Sequence, residues 1–225
     1  VPDEHSNATN RILTGMATNI APHNMNEVID ATLHLIEEDE ATTKDLMQFV
    51  KGPDFPTGGI ICGYRGIREA YHTGRGKVIL RGTIRVEEME DQPDKSRLVV
   101  DEIPYNINKS RLIEQIAELI NSKTITGISD LRDESSDREG MRIVVTLKKD
   151  SYPNKILNQL YKLTPMQTTF HFNMLALVDG IQPRVMNLEM ILREYLKHRQ
   201  VVVRRRTEFE LKKAKARAHI LEGLK

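Results

Sequence analysis

Three cationic residues recur along one short stretch, KVILRGTIRVEEME, in which aliphatic residues nearly alternate with polar ones. This near-alternation predicts a β-strand, with Gly82 as a bulge. In such a strand Lys77, Arg81 and Arg85 have the same parity and would lie on one face of a sheet. A row of cations could follow nucleic-acid phosphates, which attract lysine and arginine whatever the base sequence. The same row could be the solvated face of a half-buried sheet, and both interpretations stay open.

A second candidate phosphate site lies where the polar segment IPYNINKSRL leads into a predicted helix. Asn106, Asn108 and Lys109 would be near the first turn, where free N–H groups and the helix dipole favour anions. Asparagine is also a common helix N-cap, so ordinary capping is the alternative.

The segment RILTGMATNIAPHN sets the aliphatic Ile12 beside Arg11 and among small polar residues. Apolar side chains in such settings insert between base steps in proteins that kink DNA. Alternatively, Ile12 and Leu13 complete a strand of the hydrophobic core, which composition alone favours.

Other kinds of chemistry find little support. TGRGKV leads into a strand rather than opening a helix, so it is a poor phosphate-binding loop. The seven histidines show no metal-ligand spacing, and the single cysteine, Cys62, has no nearby Cys or His partner. The acidic run DLRDESSDREG is typical of a solvated loop. From these residues we therefore expect no metal site in this chain.

The bulk composition points to a soluble folded protein, with 39% hydrophobic and 29% charged residues. No apolar run approaches the roughly 18 residues of a membrane span. The first ten residues lack the basic and apolar regions of a signal peptide. Together with a single cysteine, these features predict a cytoplasmic protein that has no membrane partner.

The region from about 26 to 180 mixes predicted helices with antiparallel strands, including a hairpin between KVILRGTIRVEEME and SRLVVDEIP. Asn24 and Asn108 are predicted N-caps, and Gly74 is predicted to close a short helix. GISDLRDESSDREG is expected to be a loop, and TTFHFNMLALVDG a single strand. The pattern predicts an α+β fold, with an antiparallel or mixed sheet and packed helices.

The last stretch, 187–225, contains no proline and carries 11 basic and 5 acidic residues, a net charge of +6. Such a basic stretch is either a nucleic-acid contact or a solvated helix face. Apolar or small residues recur there at intervals of seven, at Leu188, Tyr195, Val202, Phe209 and Ala216. This period predicts a long helix that begins a coiled coil.

Several longer blocks make the chain recognisable: GMATNIAPHN, GPDFPTGGII, GIREAYHTGRGKV, EIPYNINKSRLIEQIAELI, GISDLRDESSDREGMRIVV and RRRTEFELKKAKARAHILEGL. From about Ile12 to Lys225 the sequence resembles the A subunits of bacterial type IIA topoisomerases, DNA gyrase and topoisomerase IV. Several blocks look closer to gyrase. An A-type subunit of topoisomerase IV, or a non-catalytic DNA-binding or interaction module, is the alternative.

The resemblance implies a division into three parts. Residues 1–25 would be a remnant of the winged-helix DNA-gate domain, in which residues 1–8 include a possible tag. Residues 26–186 would be the α+β tower domain, and 187–225 the start of the long coiled-coil helix.

The resemblance also implies the function. In gyrase an A2B2 complex of A and B subunits cuts one duplex, passes another through it and reseals the break, which gives ATP-dependent negative supercoiling. ATP and Mg2+ act through the B subunit. The nucleophile of the family is a tyrosine preceded by arginine, and none of the six tyrosines here follows an arginine. The resemblance therefore implies that this chain has no catalytic residue and no cofactor of its own, and that it supports and bends DNA without cleaving it.

The resemblance gives Ile12 the role of the isoleucine that wedges into DNA. Arg11 departs from the family, which usually has glycine before that isoleucine. The complete set of expected DNA-binding residues is Ile12, Asn19, His23, Lys77, Arg81, Arg85, Asn106, Asn108 and Lys109.

Overall fold

The computed structural model describes residues 9–13, 16–89, 92–136, 138 and 140–224. Within them the helices are α1 (Met25–Glu37), α2 (Thr43–Leu46), α3 (Arg65–Thr73), α4 (Lys109–Asn121), α5 (Pro153–Leu163) and α6 (Leu188–Gly223). The strands are β1 (Thr9–Leu13), β2 (Met16–Ile20), β3 (Ile60–Cys62), β4 (Arg75–Arg81), β5 (Thr83–Met89), β6 (Gln92–Glu102), β7 (Ile128–Asp133), β8 (Ile143–Leu147), β9 (Gln167–Asn173), β10 (Leu175–Val178) and β11 (Gln182–Val185). The expected α+β class is confirmed.

The strands form two larger antiparallel sheets and one separate hairpin. Sheet A has the strand order β1-β2-β9-β4-β3, and sheet B has the order β5-β6-β8-β7. The separate hairpin consists of β10 and β11. The predicted hairpin between the two long strand segments is confirmed as the pairing of β5 with β6.

The helix ends follow the local capping signals. The Asn24 side chain accepts a hydrogen bond from the Asn26 N–H at the start of α1, at 2.9 Å. The Asn108 side chain accepts one from the Arg111 N–H at the start of α4, at 3.0 Å. Gly74 ends α3 with a φ of 76°, a left-handed conformation that glycine adopts without a steric penalty. All three predicted caps are confirmed.

Sheet A and sheet B each have their own hydrophobic core. In the first, the sheet A residues Val78 and Phe170 pack with Tyr71 of α3. In the second, Leu98 of β6 packs with Ile116 of α4 and with α5. Burying one such side chain contributes about 1.5–3 kcal/mol, so each core holds its helices against one face of its sheet.

The segment KVILRGTIRVEEME forms two strands in two sheets. β4 ends at Arg81 in sheet A, and β5 begins at Thr83 in sheet B. Between them the Gly82 N–H donates to the Met166 carbonyl oxygen at 2.9 Å. A Cβ at Gly82 would overlap with the Glu102 carbonyl oxygen and the Met166 side chain. The expectation of one continuous strand with a bulge at Gly82 is therefore wrong, because β4 and β5 belong to different sheets. Gly82, where the chain passes from one sheet to the other, has no room for a side chain.

Two further segments differ from expectation. TTFHFNMLALVDG is divided between β9 in sheet A and β10 in the separate hairpin. GISDLRDESSDREG supplies β7, which pairs with β8 through backbone hydrogen bonds. Its acidic side chains hide this strand in the sequence, because edge strands tolerate charged residues.

The predicted long helix is confirmed as α6, which has 36 residues. Its base is anchored by Arg193, whose Nη1 donates to Asp39 Oδ1 at 2.9 Å and whose Nε donates to Glu189 Oε1 at 2.9 Å. From Val201 onward every described residue of the helix except Val202 is exposed. None of the helices described here is long and apolar enough to cross a membrane.

Candidate nucleic-acid interface

One face of sheet A is exposed and positively charged. Along β4, Val78 and Leu80 are 2% and 4% exposed, whereas Arg75, Lys77 and Arg81 on the opposite parity are exposed. We call the surface formed by the outward positions of β2, β9, β4 and β3 the cationic face. Its members are Ala17, Asn19, Ile60, Cys62, Arg75, Lys77, Ile79, Arg81, Gln167, Thr169, His171 and Asn173.

The cationic face carries no carboxylate at any of these positions. Among the residues that the structure describes, no acidic side chain forms an ion pair with Arg75, Lys77 or Arg81. Their charges are therefore available to an anion outside the chain. A surface with this charge and no acidic groups fits a phosphate backbone.

Arg81 is held in place by neutral partners. Its Nε donates to Gln167 Oε1 at 2.6 Å, and its Cζ lies 5.0 Å from the centre of the Tyr161 ring. The Tyr161 hydroxyl donates to the Gly82 carbonyl oxygen at 3.1 Å. These contacts order the guanidinium without neutralising it, which reduces the entropy lost when it binds an anion.

Asn19 has a structural task on the cationic face. Its Nδ2 donates to the His171 carbonyl oxygen at 2.6 Å, and the Asn173 Nδ2 donates to the Ala17 carbonyl oxygen at 2.5 Å. The Thr18 hydroxyl lies 3.1 Å from the Asn173 carbonyl oxygen in β9 and 2.8 Å from the Leu175 carbonyl oxygen at the start of β10. We call Thr18, Asn19 and Asn173 the β2–β9 clasp.

The clasp compensates for sparse backbone pairing. Within the described residues, β2 and β9 share one register pair, Asn19 with Asn173. The clasp therefore positions the hairpin of β1 and β2, in which Ile12 pairs with Ala17. The side chain of Ile12 lies outside what the structure describes, so its role as a wedge stays a prediction.

Arg85 does not join Lys77 and Arg81, because it lies in sheet B. Its Nη2 donates to Asp101 Oδ1 at 2.8 Å, and its Nη1 is 3.5 Å from Glu87 Oε1. The hydrogen bond from Arg85 lowers the pKa of Asp101 below its ordinary value. The expected row of three cations on one sheet face is therefore wrong, and the charge of Arg85 is already balanced.

The N-terminus of α4 matches the capping alternative. Asn108 caps the helix, and Asn106 precedes it with a φ of 65°. Lys109 Nζ lies 2.8 Å from Asp133 Oδ2, and this contact lowers the pKa of Asp133 to about 2. Lys109 already has an anionic partner in sheet B, so phosphate binding at these three residues stays a prediction.

His23 points toward the interior. Its Nε2 lies 2.7 Å from the Tyr71 hydroxyl, and the two ring centres are 5.6 Å apart. Burial lowers the pKa of His23 and raises the pKa of Tyr71. Since burial favours the neutral imidazole, the ring supports the turn into α1 and offers no cation to DNA at neutral pH.

A model of the family of DNA gyrase and topoisomerase IV A subunits matches residues 5–225 of this sequence. The chain belongs to that family. It is 58% identical over 219 residues to the DNA gyrase A subunit of Clostridium acetobutylicum, which covers 97% of this chain and 26% of the relative. It is 53% identical to that of Chlamydia trachomatis over 99% of this chain and 26% of the relative. The chain thus spans about a quarter of the length of these curated relatives.

Sequence reasoning misses two basic residues of the cationic face in this gyrase/topoisomerase IV family member. Arg75 lies two residues before Lys77, so the alternation of side chains along a strand could have placed it on the same face. His171 lies on β9, and its place opposite Lys77 depends on the long-range pairing of β4 with β9.

The described part of the chain contains no candidate metal site. No group of three or more His, Cys, Asp or Glu side chains there could hold a metal ion. The arrangement on the cationic face can bind and orient a polyanion, and it has no nucleophile paired with a base.

Proposed function

We propose that this chain is the part of a DNA gyrase A subunit that supports and bends the gate segment, the duplex that the whole enzyme cleaves. The whole enzyme is an ATP-hydrolysing type IIA topoisomerase that introduces negative supercoils. The nucleophilic tyrosine belongs to a winged-helix domain, so this chain alone is inactive. Gyrase is preferred to topoisomerase IV because the relatives at 50–58% identity are named as A subunits of DNA gyrase.

The proposed partners are double-stranded DNA, the gyrase B subunit, and a second copy of the A subunit, in an A2B2 complex of the cytoplasm. ATP and Mg2+ act through the B subunit, and this chain contributes no cofactor ligand. Its own contribution is a rigid, charged surface on which a duplex rests.

The observation that supports this proposal is the cationic face. Lys77 and Arg81 lie on one strand at the same parity, without carboxylate partners among the described residues. The same face continues through the clasp to β2, which pairs with the strand of Ile12. A duplex lying on β4 would therefore lead toward the hairpin that carries the proposed wedge.

The energetics favour many phosphate contacts over base recognition. Phosphate contacts position a duplex without reading its sequence, which suits an enzyme that bends many different sites. Bending a short duplex costs roughly 1–6 kcal/mol by elastic estimates. Several charged contacts must offset that cost, and the cationic face supplies a group of them in one plane.

A salt titration of duplex binding by this chain tests the proposal. We expect the slope of log K against log salt concentration to lose about 0.9 for each phosphate contact removed. The double variant Lys77→Gln/Arg81→Gln should therefore reduce its magnitude by about 1.8. Arg85→Gln is the matched control, because Arg85 is balanced by Asp101. No duplex binding at low salt, or an equal effect of Arg85→Gln, would refute the proposal.

A further inference from the structure

His171 is the histidine of the cationic face and lies near its centre. It is exposed on β9, directly opposite Lys77 of β4 in the antiparallel register. Its carbonyl oxygen accepts from Asn19, and this bond fixes the backbone without using the ring. In the described part of the chain, no residue forms a hydrogen bond or ion pair with its imidazole.

The elements around His171 present only cations and neutral groups to this face. Lys77 is opposite on β4, and Arg75 lies two positions further along that strand. On β2 the nearest outward residue is Asn19, and on β9 the flanking outward residues are Thr169 and Asn173. A proton on His171 therefore has no internal anion to pair with, and a phosphate outside the chain would supply one.

We propose that His171 is a proton-dependent phosphate contact of the cationic face, which makes duplex binding tighter at mildly acidic pH. This inference rests on the proposed function, because it requires DNA on that face. A histidine side chain changes charge between about pH 5 and pH 8, and its cationic form donates from both ring nitrogens. Binding and proton uptake are linked, so each strengthens the other.

The expected effect corresponds to one added charge contact. An exposed ion pair changes affinity by about 1.5- to 5-fold. One further phosphate contact steepens the slope of log K against log salt concentration by about 0.9. Both changes should appear together when the pH is lowered.

The experiment measures the affinity of this chain for a short blunt-ended duplex, by fluorescence anisotropy, at about pH 5.5 and pH 8 across a salt series. Wild type is compared with His171→Gln, which cannot be protonated, and with His171→Lys, which is charged at both pH values. His72→Gln is the matched control, since His72 is an exposed histidine on α3, which packs against the other face of sheet A.

We expect wild type and His72→Gln to bind more tightly at the lower pH, with the steeper salt slope. His171→Gln should lose most of this pH dependence, and His171→Lys should bind at pH 8 about as wild type does at the lower pH. Equal pH dependence in wild type and His171→Gln would overturn the role of His171 while leaving the DNA surface intact. Absence of duplex binding by wild type at both pH values would overturn both.

Discussion

Removing two of the three side chains of the β2–β9 clasp should loosen the β1–β2 hairpin from sheet A without unfolding the rest of the chain. The perturbation is the double substitution Thr18→Val/Asn19→Ala. It deletes the Thr18 hydroxyl, 2.8 Å from the Leu175 carbonyl oxygen, and the Asn19 amide, 2.6 Å from the His171 carbonyl oxygen. Both hydrogen bonds join β2 to residues more than 150 positions away in sequence.

The size of the effect follows from the number of bonds. One hydroxyl and one amide hydrogen bond contribute together about 1–3 kcal/mol net. The backbone adds one register pair between β2 and β9, so the clasp supplies much of the attachment. A loss of about 1–3 kcal/mol increases the open population of the hairpin roughly 5- to 150-fold.

Native-state hydrogen exchange measures that population directly. Amides of β2 should exchange faster in the double variant by this factor, while amides of β8, in the core of sheet B, should keep their rates. Thr169→Val is the matched control, because no hydrogen bond of its hydroxyl is found among the described residues of sheet A. Unchanged β2 protection, or an equal acceleration in β8, would refute the clasp as the local attachment.

Three further predictions concern stability. Burial holds the pKa of His23 below its ordinary value of 6.5. Its neutral ring should therefore stabilise the folded state above that pH, and this stabilisation should be lost as the pH falls below it. Urea unfolding should therefore be measured above and below pH 6.5. As the pH falls, the free energy of unfolding should decrease less in His23→Gln than in wild type, and equal decreases in both would contradict this. Gly82→Ala should cost about 1–3 kcal/mol through overlap with backbone and side-chain atoms, whereas Gly223→Ala, which has open space, should not destabilise. Since Lys109 lowers the pKa of Asp133 from 3.8 to about 2, their contact should stabilise above about pH 4 and vanish as the pH falls through 2. Asp133→Asn should therefore cost at most about 1 kcal/mol at neutral pH, and its difference from wild type should disappear in acid.

Features that depend on neighbouring residues are readable from the sequence. The caps at Asn24, Gly74 and Asn108 were each predictable, because a cap is a contact within one turn. The shared parity of Lys77 and Arg81 was predictable for the same reason, since side chains alternate along any strand.

Features set by long-range packing are not readable in this way. The residues next to Gly82 do not indicate that the chain passes from one sheet to the other there. The groups that crowd Gly82, the Glu102 carbonyl oxygen and the Met166 side chain, are distant in sequence. Because the chain changes sheets at Gly82, Arg85 lies in sheet B and not on the face that carries Lys77 and Arg81. The place of His171 beside Lys77 likewise requires knowledge of which strands pair.

The anchoring of α6 by Arg193 has a mechanical consequence. At 1.5 Å per residue, a helix of 36 residues extends roughly 54 Å. The base of the helix is hydrogen-bonded to Asp39 through Arg193, so a change in the angle of the helix at this point displaces each residue in proportion to its distance from the base. A tilt of about 5° would displace the far end by roughly 5 Å, given that length. A small change of angle where α6 meets the segment between α1 and α2 would thus become a displacement of several ångströms at the far end of the helix.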